Sequence, residues 1–213
     1  MLRVVHRLLE RPAVYRGFVC AVMGDTYRRV VDTHVRPRRG ERLLDMGCGT
    51  GDFIDYFEGV EYVGFDVNPD YVATARRRHG KKGAFLCGSV AERAWPFDAE
   101  FDIVTAMGVV HHLADDDAVC LFRLAARALK PGGRLITQDG CFVPGQPWLA
   151  RKIVSMDRGR FVRGPDAYRR LAEEAFSEVA TRVYHDLIRI PFTHLVMTAS
   201  GPRRTEIDQR RVG

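Results

Sequence analysis

At 213 residues, 46% of them hydrophobic, the chain is long enough to bury one sizeable core and too short for a two-domain dehydrogenase. The formal net charge of +6 suits an anionic substrate or RNA but argues only weakly for either, because the excess arginines gather in the first 40 residues and after Pro202. Solvated faces are the ordinary explanation for such runs.

In chain order, residues 1–38 read as an N-terminal helical cap, with Val14, Phe18, Val22, Val30 and Val31 at roughly helical spacing. Dimerisation or plain core packing would leave the same pattern. A strand over Arg42–Met46 then runs into glycines at 47, 49 and 51, and the spacing predicts a helix opening at Asp52, Phe53 and Ile54. A second strand, Glu61–Asp66, ends in a carboxylate, and Pro69 begins the next helix. Strands are expected at 84–87 and Phe101–Met107. The three aspartates Asp115, Asp116 and Asp117 suit a helix N-terminus, and the helix ends at Lys130-Pro-Gly-Gly. A fifth strand follows over 134–139. Residues 140–164 read as an irregular insertion that, with the N-terminal cap, covers the substrate pocket. Strands at 180–190 and 194–199, joined by a tight turn at Pro191, Phe192 and Thr193, should form an antiparallel hairpin, and residues 201–213 a flexible basic tail. Before this hairpin, strand and helix alternate through the core that spans residues 39 to 200, the pattern of a parallel sheet covered on both faces.

The glycine spacing discriminates between ligands. A dinucleotide fingerprint counted from Gly47 would place its third glycine at Asp52, where a pyrophosphate needs bare backbone. The segment Asp45-Met-Gly-Cys-Gly-Thr-Gly instead resembles motif I of the class I S-adenosylmethionine-dependent methyltransferases, in the manner of the small bacterial small-molecule enzymes of types 11 and 12. That resemblance implies a Rossmann-like seven-stranded α/β sheet of order 3-2-1-4-5-7-6, with strand 7 antiparallel, helices on both faces and a small helical cap.

It also implies a ligand set. Asp45, Gly47, Cys48, Gly49 and Gly51 would form the cofactor loop, and Asp66 would accept hydrogen bonds from the ribose diol. Val67 would lie on the adenine. Ser89, with Val90, stands where the family has an acidic residue for the adenine amino group, so that bond would lack charge assistance. Met107 and Gly108 would line the methionine part. The expected cofactor is S-adenosylmethionine, with S-adenosylhomocysteine as product and no metal.

Methyl transfer needs alignment and, for a protonated nucleophile, a base. His111, His112, Asp139 and His194 are the candidates, all near the carboxyl edge of the sheet, where open α/β folds bind ligands. Bland roles compete for each. For substrate contact the candidates are Tyr15, Arg16, Trp148, Arg158, Arg160, Arg163, Arg189 and Phe192; the arginines of the insertion could clamp a carboxylate or phosphate.

Absences narrow the acceptor. Residues Ala106-Met-Gly-Val109 replace the Asn/Asp-Pro-Pro-Tyr of amino-methylating DNA enzymes, and acidic metal ligands of the catechol type are missing after strand 4. Five cysteines, Cys20, Cys48, Cys87, Cys120 and Cys141, include no C-x-x-C pair and read as reduced thiols. Arg3, His6, Arg7 and Glu10 interrupt the first ten positions, and no apolar run approaches the ~20 residues of a bilayer span. A cytoplasmic monomer or homodimer is expected, acting at O or N, with C also open, on a small-molecule acceptor, an anionic one being favoured; nucleic acid and membrane are not expected partners. Still open are an S-adenosylmethionine-binding enzyme of cyclase or isomerase type that does not methylate, an RNA or protein methyltransferase, and a nucleotide-binding dehydrogenase or regulatory module.

Overall fold

Parallel strands covered on both faces need near-continuous apolar runs, and Leu43, Leu44, Ile103, Val104, Leu135 and Ile136 provide them, all fully buried. In the computed structural model, which describes residues 25–89, 95–156 and 159–203, these runs lie in a seven-stranded sheet of order β3-β2-β1-β4-β5-β7-β6. Its strands are β1 (Arg42–Met46), β2 (Glu61–Asp66), β3 (Gly83–Cys87), β4 (Phe101–Met107), β5 (Leu129–Gly140), β6 (Phe176–Tyr184) and β7 (His194–Pro202). The first five pair in parallel, and β7 lies antiparallel between β5 and β6.

Two apolar layers cover the sheet. On one face α3 (Asp115–Ala128) contributes Ala118, Leu121, Phe122 and Ala125, and α5 (Pro165–Glu173) contributes Tyr168 and Ala172. On the other, α1 (Thr26–Val30) and the π-helical turn Val31–Val35 insert Val30, Val31 and Val35 beside Val72 and Ala75 of α2 (Pro69–His79). The described part of the N-terminal segment is therefore core. It is also tied to the β6–β7 connection: Thr26 Oγ1 donates to the Leu187 carbonyl, Arg29 Nη1 reaches the Asp186 carbonyl at 2.8 Å, and His34 Nε2 lies 2.7 Å from the Tyr184 hydroxyl.

Local chemistry explains the well-placed boundaries. Asn68 caps α2 by accepting from the Asp70 and Tyr71 amides, and Pro69 occupies the first helical position, where an N–H has no intrahelical partner anyway.

Several expectations need correction. The helix foreseen at residue 52 is only a 3-10 turn, Ile54–Tyr56. β5 starts at Leu129, which pairs with Phe101, before Lys130-Pro-Gly-Gly loops out and pairing resumes at Arg134 opposite Ile103; Gly132, at φ +80°, permits the detour. The insertion contains a helix, α4 (Trp148–Ser155). β6 lies at 176–184 rather than 180–190, so residues 185–193 form a loop in place of the tight turn. The reason is that β6 is an edge strand whose Ser177, Glu178, Ala180, Thr181 and Arg182 are exposed, and such a strand needs little apolar pattern. The expected flexible tail begins too early: Gly201 and Pro202 extend β7, and the Arg203 amide donates to the Ala175 carbonyl.

Phe122 is fully buried against the sheet. Phe122→Ala should lower the unfolding free energy by about 3–5 kcal/mol, the usual cost of such a core deletion, measured by urea denaturation.

Candidate active site

Three glycines at the end of β1 carry left-handed backbone: Gly47 at φ +79°, Gly49 at +54° and Gly51 at +78°. They differ in what surrounds them. A Cβ on Gly47 would clash with Val109 Cγ2 at 2.5 Å, and one on Gly51 would crowd His79 Cδ2 and Phe85 Cε1 at 3.1 Å. A Cβ on Gly49 would meet nothing within 4 Å. The loop thus presents bare backbone to open space at its tip and is wedged at its two ends.

The loop is held by β2. The Gly47 and Cys48 amides donate to the Phe65 carbonyl at 2.7 and 3.1 Å, and the Gly49 amide donates to Asp66 Oδ2 at 2.8 Å. The other carboxylate oxygen of Asp66 accepts from the Asn68 amide at 2.8 Å. Each oxygen retains lone-pair capacity for a diol. Beside it Val67 is 67% exposed, an apolar side chain largely uncovered by protein. Cys48 points its sulfur toward Gly64 and the interior, where burial pushes the thiol well above its ordinary range, so only its backbone belongs to the loop.

Asp45 stands apart from these. It is buried within the sheet, accepting from the Tyr62 hydroxyl at 2.6 Å and from Thr105 Oγ1 at 2.8 Å. It ties β1 to its neighbours β2 and β4 and so supports the loop from inside the protein. Burial pushes its carboxyl up to about 6, opposed by those two hydrogen bonds and reinforced by the charge of Asp66. Ser89 is half-buried just beyond β3, and Met107 half-buried at the end of β4. Gly108, at φ +71°, donates its amide to the Gln138 carbonyl.

The base candidates divide between the two faces of the sheet. Asp139 accepts from both the amide and Nδ1 of His111 at 3.1 and 2.8 Å, all within the protein. The His112 ring lies against that of His111, tilted by 38° with the centroids 4.2 Å apart. Since neighbouring strand residues alternate faces, Gln138 lies opposite Asp139. His194, paired with Gly140, shares the Gln138 face, its ring 4.6 Å from that of Phe192. Sequence reasoning passed over Gln138. Its Oε1 is sealed from solvent and accepts no hydrogen bond among the described residues, at the strand end paired with Met107. A glutamine in a strand gives no sign of this, because the signal is the burial itself.

The arginine clamp is not assembled as expected. Arg163 spends its guanidinium on Asp115 Oδ1 at 2.6 Å and on the carbonyls of Val110, Leu113 and Phe161, tying the insertion to the loop after β4. It is a positioning residue for that loop. Arg160 and Arg189 are exposed, Trp148 is exposed and Phe192 is buried. Tyr15, Arg16, Val90 and Arg158 lie outside the described residues.

A family profile described as a methyltransferase domain matches residues 43–133, the stretch that contains the glycine loop, Asp66 and β4. This stretch is a methyltransferase domain. Wheat (Triticum aestivum) phosphoethanolamine N-methyltransferase is 29% identical over 168 residues, 75% of this chain and 32% of that protein. The 27-O-demethylrifamycin SV methyltransferase of Amycolatopsis mediterranei is 36% identical over 133 residues, 57% of this chain and 48% of its own. The chain thus spans about a third to a half of the length of these curated relatives. The methyltransferase fold is shared with a Haemonchus contortus phosphoethanolamine N-methyltransferase solved with phosphomonomethylethanolamine and S-adenosylhomocysteine, at TM-score 0.65 and 18% identity, covering 83% of this chain and 52% of that one.

Asp45 makes the methyltransferase domain pH-sensitive in a defined direction. Its folded-state value, about 6, lies above the ordinary 3.8, so the folded chain holds this proton more tightly. The cost of the buried carboxylate is absent below the unfolded value and complete above the folded one, and stability falls as pH rises between them. Asp45→Asn should therefore gain on the parent by about 3 kcal/mol between pH 3.5 and pH 7, on conversion at 1.36 kcal/mol per unit. Urea denaturation at both pH values measures the difference.

Proposed function

We propose that this protein transfers a methyl group from S-adenosylmethionine to an oxygen or nitrogen of a small-molecule acceptor. The reading is carried by one observation: a positive-φ glycine loop with an open tip, whose Gly49 amide is fixed by the carboxylate that ends β2. Bare backbone, a carboxylate with spare acceptor capacity and the exposed Val67 are the three surfaces that an adenosyl group needs.

The residues fit the cofactor as follows. Asp66 would accept from the ribose hydroxyls, Val67 would cover one adenine face, and Gly47, Gly49 and Gly51 would let the chain pass close to the ligand. Met107 and Gly108 would flank the methionine part. When bound, S-adenosylmethionine supplies a methyl carbon already activated by sulfonium charge, so the protein's work is alignment, exclusion of water and handling of one proton.

For that proton His111 is the best-supported base. Asp139 orients its ring and stabilises the imidazolium, which leaves Asp139 itself a positioning residue. The sealed Oε1 of Gln138 would accept from an acceptor O–H or N–H, or from the amino group of the cofactor, since an unmet buried acceptor favours any donor that reaches it. The relatives support both nucleophile types: the wheat protein is named as an N-methyltransferase of phosphoethanolamine, the Amycolatopsis protein as a methyltransferase of 27-O-demethylrifamycin SV. A cytoplasmic setting and a monomeric or homodimeric state belong to the same proposal.

Labelled methyl transfer from S-adenosylmethionine into size-fractionated extract of the source cells tests this reading. Label should enter small metabolites and disappear with Asp66→Ala, whose affinity for the cofactor should fall by about 1–3 kcal/mol, the scale of hydrogen bonds to a charged group; calorimetry measures that loss. Label confined to RNA or protein would overturn the small-molecule assignment, and an unchanged affinity would overturn the role of Asp66. His111→Asn should lower kcat by about 10²-fold or more while leaving the calorimetric affinity for the cofactor unchanged.

A further inference from the structure

Helix α4 has apolar residues on both sides. Ala150 and Val154 face inward and are buried, yet Trp148 is 78% exposed, Leu149 41% and Met156, one residue past the helix, 55%. At about 3.6 residues per turn, positions 148, 152 and 156 fall on one outward stripe, with 149 beside it. An ordinary surface helix turns its polar face to water; this one turns out Trp148, Leu149 and Met156 beside Arg151, Lys152 and Ser155. Phe161, 40% exposed, adds a fourth apolar group after the helix, next to exposed Arg160. Of the six large apolar side chains exposed among the described residues, the other two, Val67 and Tyr71, adjoin the adenosyl site. The remaining four all lie in this insertion.

The sequence of this segment is strongly basic. Between residues 148 and 163 the sequence carries Arg151, Lys152, Arg158, Arg160 and Arg163 against the single acid Asp157. Arg163 is committed to the loop after β4; Arg151, exposed, lies over the Phe142 ring at 4.9 Å, and Lys152 and Arg160 stand exposed within the apolar group.

We propose that α4, Met156 and the described residues 159–161 form a docking surface for an anionic phospholipid bilayer, with Trp148, Leu149, Met156 and Phe161 entering the headgroup boundary while Lys152 and Arg160 meet lipid phosphates. A lysine in the middle of an apolar stripe decides between partners. In a protein groove its ammonium would need a dedicated buried acid, whereas at a bilayer its stem lies among apolar groups and its head reaches the phosphate layer. Tryptophan suits the same boundary, apolar in body and polar at its N–H. An eight-residue helix is far shorter than the ~20 residues of a membrane span, so it would lie on the surface. Val154 of α4 and Phe192 both pack on Gly140 at the end of β5. Docking through α4 would thus bring the carboxyl edge of the sheet near the lipid, open to acceptors carried there. The proposal does not depend on methyl transfer.

The test is co-sedimentation of the full chain with vesicles of phosphatidylcholine alone and of phosphatidylcholine containing phosphatidylglycerol, with tryptophan emission as a second readout. Of the two tryptophans, Trp95 is already buried, so a blue shift on binding would report Trp148. Binding should require the anionic lipid, weaken with salt and fall by about tenfold or more in Trp148→Glu/Met156→Glu, while Trp148→Phe retains it. Both positions are exposed, and an unchanged circular dichroism spectrum would verify the fold of the double variant. Absence of binding to anionic vesicles, or binding that survives the double substitution, would overturn the proposal. So would a dimer that dissociates on the same substitution without lipid, which would assign the surface to a second copy of the chain.

Discussion

The carboxylate of Asp66 accepts from two backbone amides that come from different directions, Gly49 in the loop after β1 and Asn68 at the start of α2. A single side chain thereby fixes the distance between two strand ends and the entry of a helix. Much of the site inherits its position from this tie. The loop cannot collapse onto the sheet, because Val109 and Phe85 wedge it at Gly47 and Gly51, and it cannot lift away while its amides are held by Phe65 and Asp66. Fixed dipoles of this kind need no reorganisation when a ligand arrives, which is the physical content of a preorganised site.

Beneath this layer Asp45 performs a costlier version of the same task. It joins three strands through Tyr62 and Thr105 and accepts burial of a carboxyl to do so. The two acids differ in solvation. Asp66 is half-buried at the rim and available to a ligand, while Asp45 is enclosed and available only to its neighbours. Sequence spacing treats them alike, as acidic residues near strand ends, and accessibility separates their roles.

That contrast shows how far the sequence was legible. The glycine loop, the strand order and the start of α2 follow from local rules: positive φ needs glycine, buried parallel strands need continuous apolar runs, and proline fits a first helical turn. β6 was misplaced because its outer residues face water and carry no apolar alternation. Arg163 was misread because nothing local to a cationic run says that its donors meet the carbonyls of Val110 and Leu113 some 50 residues away. Gln138 escaped notice for a similar reason: an unmet acceptor is a property of the folded neighbourhood.

The insertion and the loop after β4 are bonded from both directions. Arg163 holds the carbonyls of Val110 and Leu113, the Phe161 amide donates to the His111 carbonyl, and a Cβ on Gly159 would collide with the His111 ring. These two segments therefore constitute one structural unit. A recombinant chimera that exchanged residues 141–164 with those of a relative would give the His111 loop a foreign partner, so grafting that segment requires residues 109–115 to travel with it.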